Sequence, residues 1–183
     1  MKIGRTIAFG TASLAVALGV AGAQAAGLGD WGPVKGDWEF TLGGNGTSNS
    51  DFGTNTGGFN ASVGYFLTDA FEVAVRQTLT FTAGGDVNND AVGGATYAAL
   101  DYHFRAGQKL RPFVGVTFGG IYGDFVNDSL AAGLEGGLKY YVKPKTFIFG
   151  TFGWNWLFDD GDSLTNNFDD GSFVYTAGVG FHF

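Results

Sequence analysis

The sequence predicts an all-β fold, an eight-stranded antiparallel up-and-down transmembrane β-barrel. Apolar side chains alternate with small or polar ones in eight successive segments, which is the period of a β-strand. Short and long polar connections alternate strictly between these segments, as they do in membrane barrels. The last segment, 172–183, is apolar at every second residue with one exception on the other face, Val174, and it ends on Phe183.

The chain begins with the pattern of a secretory signal peptide. Lys2 and Arg5 precede an uncharged apolar stretch, and Ala23-Gln24-Ala25 supplies a small-x-small cleavage site. We therefore expect residues 1–26 to be a signal peptide and residues 27–183 to form one β-barrel domain. A membrane anchor is the alternative, but the stretch is rich in Ala and Gly.

Composition excludes several classes of protein. The chain has 33 Gly and 19 Phe but only 3 Pro, and it has no Cys. It is therefore neither disordered nor collagen-like, and it has no disulfide framework. A net charge of -7 argues against a nucleic-acid partner, which would require a basic stripe.

Each of the first four predicted strands has one apolar face. The predicted strands and faces are 37–45 (Trp38, Phe40, Leu42), 57–66 (Phe59, Ala61, Val63, Tyr65), 71–81 (Phe71, Val73, Val75, Leu79, Phe81) and 94–104 (Ala98, Leu100, Tyr102, Phe104). The opposite faces are mainly small, polar or charged, so each strand suits a sheet between two different environments.

Two of the last four strands are equally clear. They are 130–142 (Leu130, Leu134, Leu138, Tyr140) and 172–183 (Phe173, Tyr175, Val179, Phe181, Phe183). Strand 111–122 is ambiguous, because Val114, Val116 and Phe118 oppose Phe113 and Ile121. Strand 146–156 is aromatic on both faces, and we expect its outward set to be Ile148, Gly150, Phe152, Trp154 and Trp156.

The connections give the barrel two different ends. The long polar connections are 46–56, 82–92, 123–129 and 157–171. The short ones follow residues 66, 104 and 142. In outer-membrane barrels short turns are periplasmic and long loops face outward, so both termini would be periplasmic.

The sequence resembles the small eight-stranded outer-membrane barrels of Gram-negative bacteria, namely the OmpA-like transmembrane domain and the OmpX/OmpW-type proteins. The resemblance rests on Phe181-His182-Phe183, on the turn Phe66-Leu67-Thr68-Asp69 and on Arg111-Pro112-Phe113-Val114-Gly115. It implies a place in the cell outer membrane, contact with outer-membrane lipid, and an assembly signal at Phe181 and Phe183 that the barrel-assembly machinery reads.

A soluble, lipocalin-like barrel is the alternative fold. Its charged faces would point to water and should carry many charges. The minority faces carry few, so we expect them to point inward as a paired network. The expected interior charges, structural or pore-lining, are Glu39, Glu72, Arg76, Asp101, Glu135 and Lys139.

Aromatic side chains near the strand ends predict two membrane-interface girdles. The expected interface residues are Trp38, Tyr65, Phe71, Tyr102 and Tyr140, with Phe104, Phe181 and Phe183, on the periplasmic side, and Trp154 and Trp156 at the outer end.

No residue pattern predicts catalysis, a cofactor or a metal. His103 and His182 lack a convincing Ser partner for acyl transfer. Asp159-Asp160-Gly161-Asp162 resembles a calcium-binding turn only in composition. We expect a non-enzymatic outer-membrane barrel with a structural or surface-interaction role, in which the four long loops could bind a surface ligand. The alternative is a narrow porin-like channel for ions or small hydrophobic molecules.

Overall fold

The structure is a computed structural model that describes residues 31–49, 55–82, 91–123, 129–158 and 171–183. Its strands are β1 (Trp38–Asn49), β2 (Asn55–Phe66), β3 (Phe71–Thr82), β4 (Ala91–His103), β5 (Leu110–Gly123), β6 (Ser129–Lys143), β7 (Thr146–Phe158) and β8 (Gly171–His182). None of the described segments is a helix of the length and hydropathy that a membrane-spanning helix requires.

The eight strands form a closed barrel. Each strand pairs antiparallel with its neighbour in the sequence, and β1 pairs with β8. In this closing pair Leu42 lies opposite Val179, and Glu39 lies opposite His182. The predicted fold class and the predicted pairing of the first and last strands are therefore confirmed. Closure leaves no sheet edge, so each strand has two hydrogen-bonded neighbours.

The strands extend further into the long connections than the sequence predicted. Residues 46–49 belong to β1, 91–93 to β4 and 157–158 to β7. Backbone pairing needs no apolar side chain, so the hydrogen-bonded ladder continues after the apolar alternation has ended. Residues 50–54, 83–90, 124–128 and 159–170 of the long connections lie outside the described residues. At the other end of the barrel, β4 ends at His103, one residue before the predicted limit.

The barrel is apolar outside and polar inside. The outward side chains of Phe59 and Phe118 are 64% and 57% exposed, whereas those of Glu72 and Asp101 are 2% and 1% exposed. A protein in water does not surround itself with a continuous apolar belt, so this arrangement excludes the lipocalin-like alternative. A closed sheet with an apolar exterior is the form in which strands cross a bilayer.

In β5 and β7, whose outward faces were uncertain from the sequence, apolar side chains also point outward. In β5, Val114 and Phe118 are exposed and Phe113 is buried inside the barrel. In β7, Ile148 and Phe152 are exposed and Phe147 is buried. The expected outward set of β7 is therefore correct. The inward aromatics of these strands were ambiguous in the sequence because they contribute to an interior aromatic layer, described below.

Local hydrogen bonds close the short connections. The Thr68 hydroxyl accepts hydrogen bonds from the backbone N–H of Ala70, at 3.2 Å, and of Phe71, at 2.9 Å. Gly107, between β4 and β5, has φ 95°, a region that favours glycine. The pairing of β6 with β7 shifts register between Tyr141 and Lys143.

Some glycines allow neighbouring strands to approach closely. A Cβ at the inward-facing Gly119 would lie 1.9 Å from the carbonyl oxygen of Thr96 on β4. The outward-facing Gly136 differs, because the nearest atom to its Cβ would be 3.8 Å away. Glycine is therefore required by packing at the first position and not at the second.

We predict that Gly119→Ala lowers the free energy of unfolding by about 1–3 kcal/mol, because the new methyl group would force two paired strands apart. Gly136→Ala is the matched control and should leave the stability unchanged or slightly higher. Urea unfolding in phospholipid vesicles, followed by tryptophan fluorescence, measures both. Equal losses in the two variants would contradict the assignment of these faces.

Candidate functional site in the barrel interior

The six ionisable side chains proposed for the interior all point into the barrel, where they form one cluster, here called the charge network. They are Glu39 of β1, Glu72 and Arg76 of β3, Asp101 of β4, and Glu135 and Lys139 of β6. The two-residue strand period places each of them between outward-facing neighbours. Below, "lower" means nearer to the short connections.

Lys139 is the centre of the lower half of the network. Its Nζ donates hydrogen bonds to both carboxylate oxygens of Glu39, at 2.7 and 2.6 Å, and to Oε2 of Glu72 at 3.1 Å. The same Glu72 oxygen lies 2.9 Å from Nε2 of His103. All four side chains are almost completely buried. The ammonium and the carboxylates therefore compensate one another in place of water.

Arg76 is the centre of the upper half. Its Nη2 donates to Oδ2 of Asp101 at 2.5 Å, and its Nη1 donates to Oε2 of Glu135. A planar guanidinium has donors enough to serve two carboxylates at once. One arginine therefore connects β3 with both β4 and β6.

The ion pairs join residues that are far apart in the sequence. Glu72 and Arg76 share one strand face, but they do not bond, because residues four apart on a strand are about 13 Å from each other. Lys139 and Glu39 are instead 100 residues apart, and Arg76 and Glu135 are 59 residues apart. These contacts link strands that are not adjacent in the sheet, and so they cross the interior.

Two glycines make room for the carboxylates. A Cβ at Gly64 would lie 1.8 Å from Oε1 of Glu72, and a Cβ at Gly115 would lie 2.0 Å from Oδ1 of Asp101. Gly115 is the direct cross-strand partner of Asp101. Each carboxylate therefore rests against bare backbone, and a larger residue at either position would displace it.

An aromatic layer, here called the floor, lies below the charge network and was not predicted from the sequence. The floor consists of Phe66, His103, Phe113, Tyr141, Phe147 and His182, all nearly or fully buried. Its rings contact one another, with centroids 5.2 Å apart for Phe66–His103 and for His103–Phe113. The available signal was an aromatic residue at the lower end of the otherwise polar face of several strands, such as Phe66, Phe113, Tyr141 and Phe147.

The floor also contacts Lys139. Its Nζ lies 5.7, 5.3 and 5.1 Å from the ring centroids of Phe66, Phe113 and Phe147. Rings at these distances attract a cation by their quadrupoles, most strongly in a desolvated place. The Lys139 ammonium therefore lies between the two carboxylates of the lower half of the network and the three rings of the floor.

The segment before β1 crosses beneath the floor. The Trp31 carbonyl accepts a hydrogen bond from Arg111 Nη2 at 2.5 Å, and Gly36 N–H donates to the carbonyl of Phe66 at 2.9 Å. Lys145 pairs with Asp37 at 2.9 Å. The described part of the lead-in therefore covers the lower mouth of the barrel.

A small polar cavity adjoins the charge network. Its volume is about 70 Å³, and it is lined by hydroxyl and amide side chains, such as Thr41, Ser62 and Asn155, together with members of the charge network such as Glu135. Thr41 and Ser62 are hydrogen-bonded to each other at 2.6 Å. At roughly 10–15 Å³ for each water molecule, the cavity has room for about five to seven waters.

The predicted interface aromatics lie at the two ends of the outer surface. Lower-end rings contact in series, with Phe71–Tyr102 at 4.9 Å and Tyr102–Phe104 at 4.8 Å. Trp38 contacts the half-buried Tyr65 at 5.2 Å. The remaining lower-end aromatics, Tyr140, Phe181 and Phe183, are exposed on the outer surface. At the upper end Trp154 contacts Phe173 at 4.7 Å and Trp156 is half-buried.

The histidines are bonded within the lower interior. His103 meets Glu72, and Nε2 of His182 lies 2.6 Å from the Tyr141 hydroxyl. Neither of these described bonds involves a serine. Among the described residues, Glu72, Asp101 and His103 are close enough together to surround an ion. Lys139 and Arg76 already bind these carboxylates, so the geometry favours internal cations over a metal.

The solved structures that resemble this chain are small outer-membrane barrels. Neisserial surface protein A shares 17% identity at a TM-score of 0.62, over 80% of this chain and 96% of that one. The N-terminal β-barrel domain of Pseudomonas aeruginosa OprF shares 23% identity at 0.58, over 82% and 100%. Ail, the attachment invasion locus protein of Yersinia pestis, shares 16% at 0.55, over 82% and 100%.

This chain has the fold of the small eight-stranded outer-membrane barrels. The resemblance seen in its terminal strand and turns is therefore confirmed for the architecture. No protein-family model matches the sequence, and no curated protein matches it. At these identities the likeness establishes the fold alone, so function has to be argued from the residues. The Asp159-Asp160-Gly161-Asp162 turn lies outside the described residues.

We predict that Lys139→Met lowers the free energy of unfolding by about 3–5 kcal/mol, because it leaves two buried carboxylates without their cation. Lys145→Met is the control: its ion pair with Asp37 is partly exposed and should be worth at most about 1 kcal/mol. Adding Glu39→Gln to Lys139→Met should recover part of the loss. Urea unfolding in vesicles measures all three, and a loss no larger than the control's would contradict the central role of Lys139.

Proposed function

We propose that this chain is a non-enzymatic integral outer-membrane β-barrel with a structural or surface-interaction role in the Gram-negative envelope. One observation carries the proposal: an apolar exterior surrounds an interior that is closed by the charge network and the floor. The charge network then serves to hold the strands together, and the barrel is a rigid support for its long loops. Loops on a rigid scaffold commonly carry binding functions.

Any surface ligand would meet the connections 46–56, 82–92, 123–129 and 157–171. Every charged residue in them is an aspartate: Asp51, Asp86, Asp90, Asp124, Asp128, Asp159, Asp160, Asp162, Asp169 and Asp170. One similar structure is Ail in complex with the heparin analogue sucrose octasulfate. A sulfated ligand of that kind would be repelled by acidic loops, so we propose a cationic or neutral surface ligand for this chain.

A narrow channel is the second candidate function. The observation in its favour is the cavity beside the charge network, which hydroxyl, amide and charged side chains line. Four carboxylates face two bases in this network, so any ion that passed would be a cation. Against a channel, an eight-stranded interior is just wide enough to be filled by its own side chains, and here the floor also fills the lower end.

We further propose that residues 1–26 are removed on export and that the barrel-assembly machinery reads Phe181 and Phe183. Both rings are outward and exposed at the lower end of the barrel, 45% and 48% respectively. They contact each other at 5.9 Å, and Phe181 also contacts Phe40 at 5.6 Å. An exposed pair of rings at a strand terminus is available both to lipid and to an assembly factor.

We predict no steady conductance for the folded protein in planar bilayers, because the network and floor leave no continuous water path. A variant that lacks both interior cations, Arg76→Ala with Lys139→Ala, tests whether those side chains form the barrier. No current in either protein would reject the channel. A cation-selective current in the unaltered chain would reject the proposed closed barrel.

We predict that Phe183→Ser reduces the amount of barrel that reaches the outer membrane in cells, while the purified variant still folds in vesicles. The ring packs mainly at the outer surface, so its loss should affect recognition more than stability. Membrane fractionation and heat-modifiable gel migration provide the two readouts. Val142→Ser, an exposed change at the same end of another strand, is the control. Equal depletion of both variants would point to general instability.

A further inference from the structure

The lower end of the barrel carries a ring of basic side chains, here called the collar. The collar consists of Lys35 in the lead-in, Arg105 and Lys109 between β4 and β5, and Lys143 at the end of β6, and all four are exposed. They come from three different segments at the lower end: the lead-in, the β4–β5 connection and the end of β6. Two more bases of this end, Arg111 and Lys145, already bind the lead-in.

Acidic groups neutralise little of the collar. Asp69 lies 3.9 Å from Arg105, and both are largely exposed, so this pair is weak. Lys109 Nζ lies 4.5 Å from the ring centroid of Trp31. Within the described residues, Lys35, Lys109 and Lys143 form no ion pair. The collar therefore presents an excess of positive charge to its surroundings.

The collar lies where the apolar belt ends. Arg105 directly follows Phe104, the last ring of the lower aromatic series, and Lys143 directly follows Val142, which is 49% exposed. Long basic side chains in such positions place their stems along apolar surface and their charged ends at the headgroup level. The phosphates of the surrounding lipids are thus the nearest external anions.

The upper end of the barrel, where the long connections lie, has the opposite charge. Its long connections contain the aspartates named above and neither Lys nor Arg. Every Lys and Arg after the predicted signal peptide lies in the lower end or in the charge network, although Asp37 and Asp69 also lie at the lower end. An anionic surface would therefore be attracted to the collar and repelled at the other end.

We propose that the collar binds the anionic headgroups of phospholipids in the leaflet that surrounds the short connections. A phosphodiester accepts hydrogen bonds from the Arg105 guanidinium and ionic contacts from the lysines. Each basic residue near an anionic bilayer surface contributes roughly 1 kcal/mol of attraction, so four residues give a clear preference for anionic lipid. The inference depends on the proposed function only for the identity of the leaflet.

Quenching of tryptophan by brominated lipids tests the proposal. The protein is folded in dioleoylphosphatidylcholine vesicles that contain either brominated phosphatidylcholine or brominated phosphatidylglycerol. A background with Trp154→Phe and Trp156→Phe leaves Trp31 and Trp38, both at the lower end, as reporters. The unaltered chain is measured in parallel, so that a folding defect of the background is detected.

We expect phosphatidylglycerol to be preferred over phosphatidylcholine by about threefold or more at low salt. The preference should vanish in 1 M NaCl, where the Debye length is about 3 Å. It should also vanish when Lys35, Arg105, Lys109 and Lys143 are all replaced by Gln. The matched control exchanges Lys for Arg and Arg for Lys at the same four positions, and it should keep the preference.

Equal quenching by the two lipids in the Trp154→Phe/Trp156→Phe background that keeps all four bases, or a preference that survives the four Gln substitutions in that background, would overturn the proposal. Retention on purified peptidoglycan without any lipid preference would overturn it in favour of a cell-wall polyanion. Failure here is distinguishable from failure of the proposed function, because a barrel that conducts ions could still select anionic lipid, and a closed barrel could ignore it.

Discussion

The barrel interior depends on the buried ammonium of Lys139. It is bonded to Glu39 on one side and to Glu72 on the other, and it therefore ties β6 to β1 and β3 across the interior. Isolated in a low-dielectric environment, any of these three charges would be very costly. Together they form a unit that exists only when β1, β3 and β6 have assembled. The contact thus favours the complete barrel over any partly assembled sheet.

The charge network is important for stability because the apolar outer surface of the barrel faces lipid and not water. A protein in water gains most of its stability by burying apolar side chains. Here, in contrast, large apolar side chains such as Phe59 and Phe118 lie on the outer surface of the barrel. The interior must gain its cohesion from ion pairs, from hydroxyl pairs such as Thr41–Ser62, and from the rings of the floor. Gly64 and Gly115 make this interior packing possible. The carboxylates of Glu72 and Asp101 occupy the space that a side chain at Gly64 or Gly115 would fill.

Much of the fold could be predicted from the two-residue alternation of apolar and polar side chains. The same alternation also explains which features could not be predicted. Alternation determined the number of strands, their faces, and the inward direction of Glu72 and Lys139. It contains no information about which inward residues meet across the barrel, since that depends on strand tilt and stagger. The pairing of Lys139 with Glu39, 100 residues away, therefore could not be predicted. The floor escaped notice because Phe113 and Phe147 break the rule that inward residues are polar, and they break it only at one end.

The floor and the lead-in also determine from which end another molecule can reach the interior. Phe66, Phe113 and Phe147 occupy the interior just below Lys139, and Arg111 fastens Trp31 beneath them. The lower mouth is consequently closed twice, by rings and by backbone. A ligand could approach the polar cavity only from above, and a cavity of about 70 Å³ offers such a ligand little room. Contacts with other molecules must therefore be made mainly by the outer surface and by the two ends, whose opposite charges suit them to different partners.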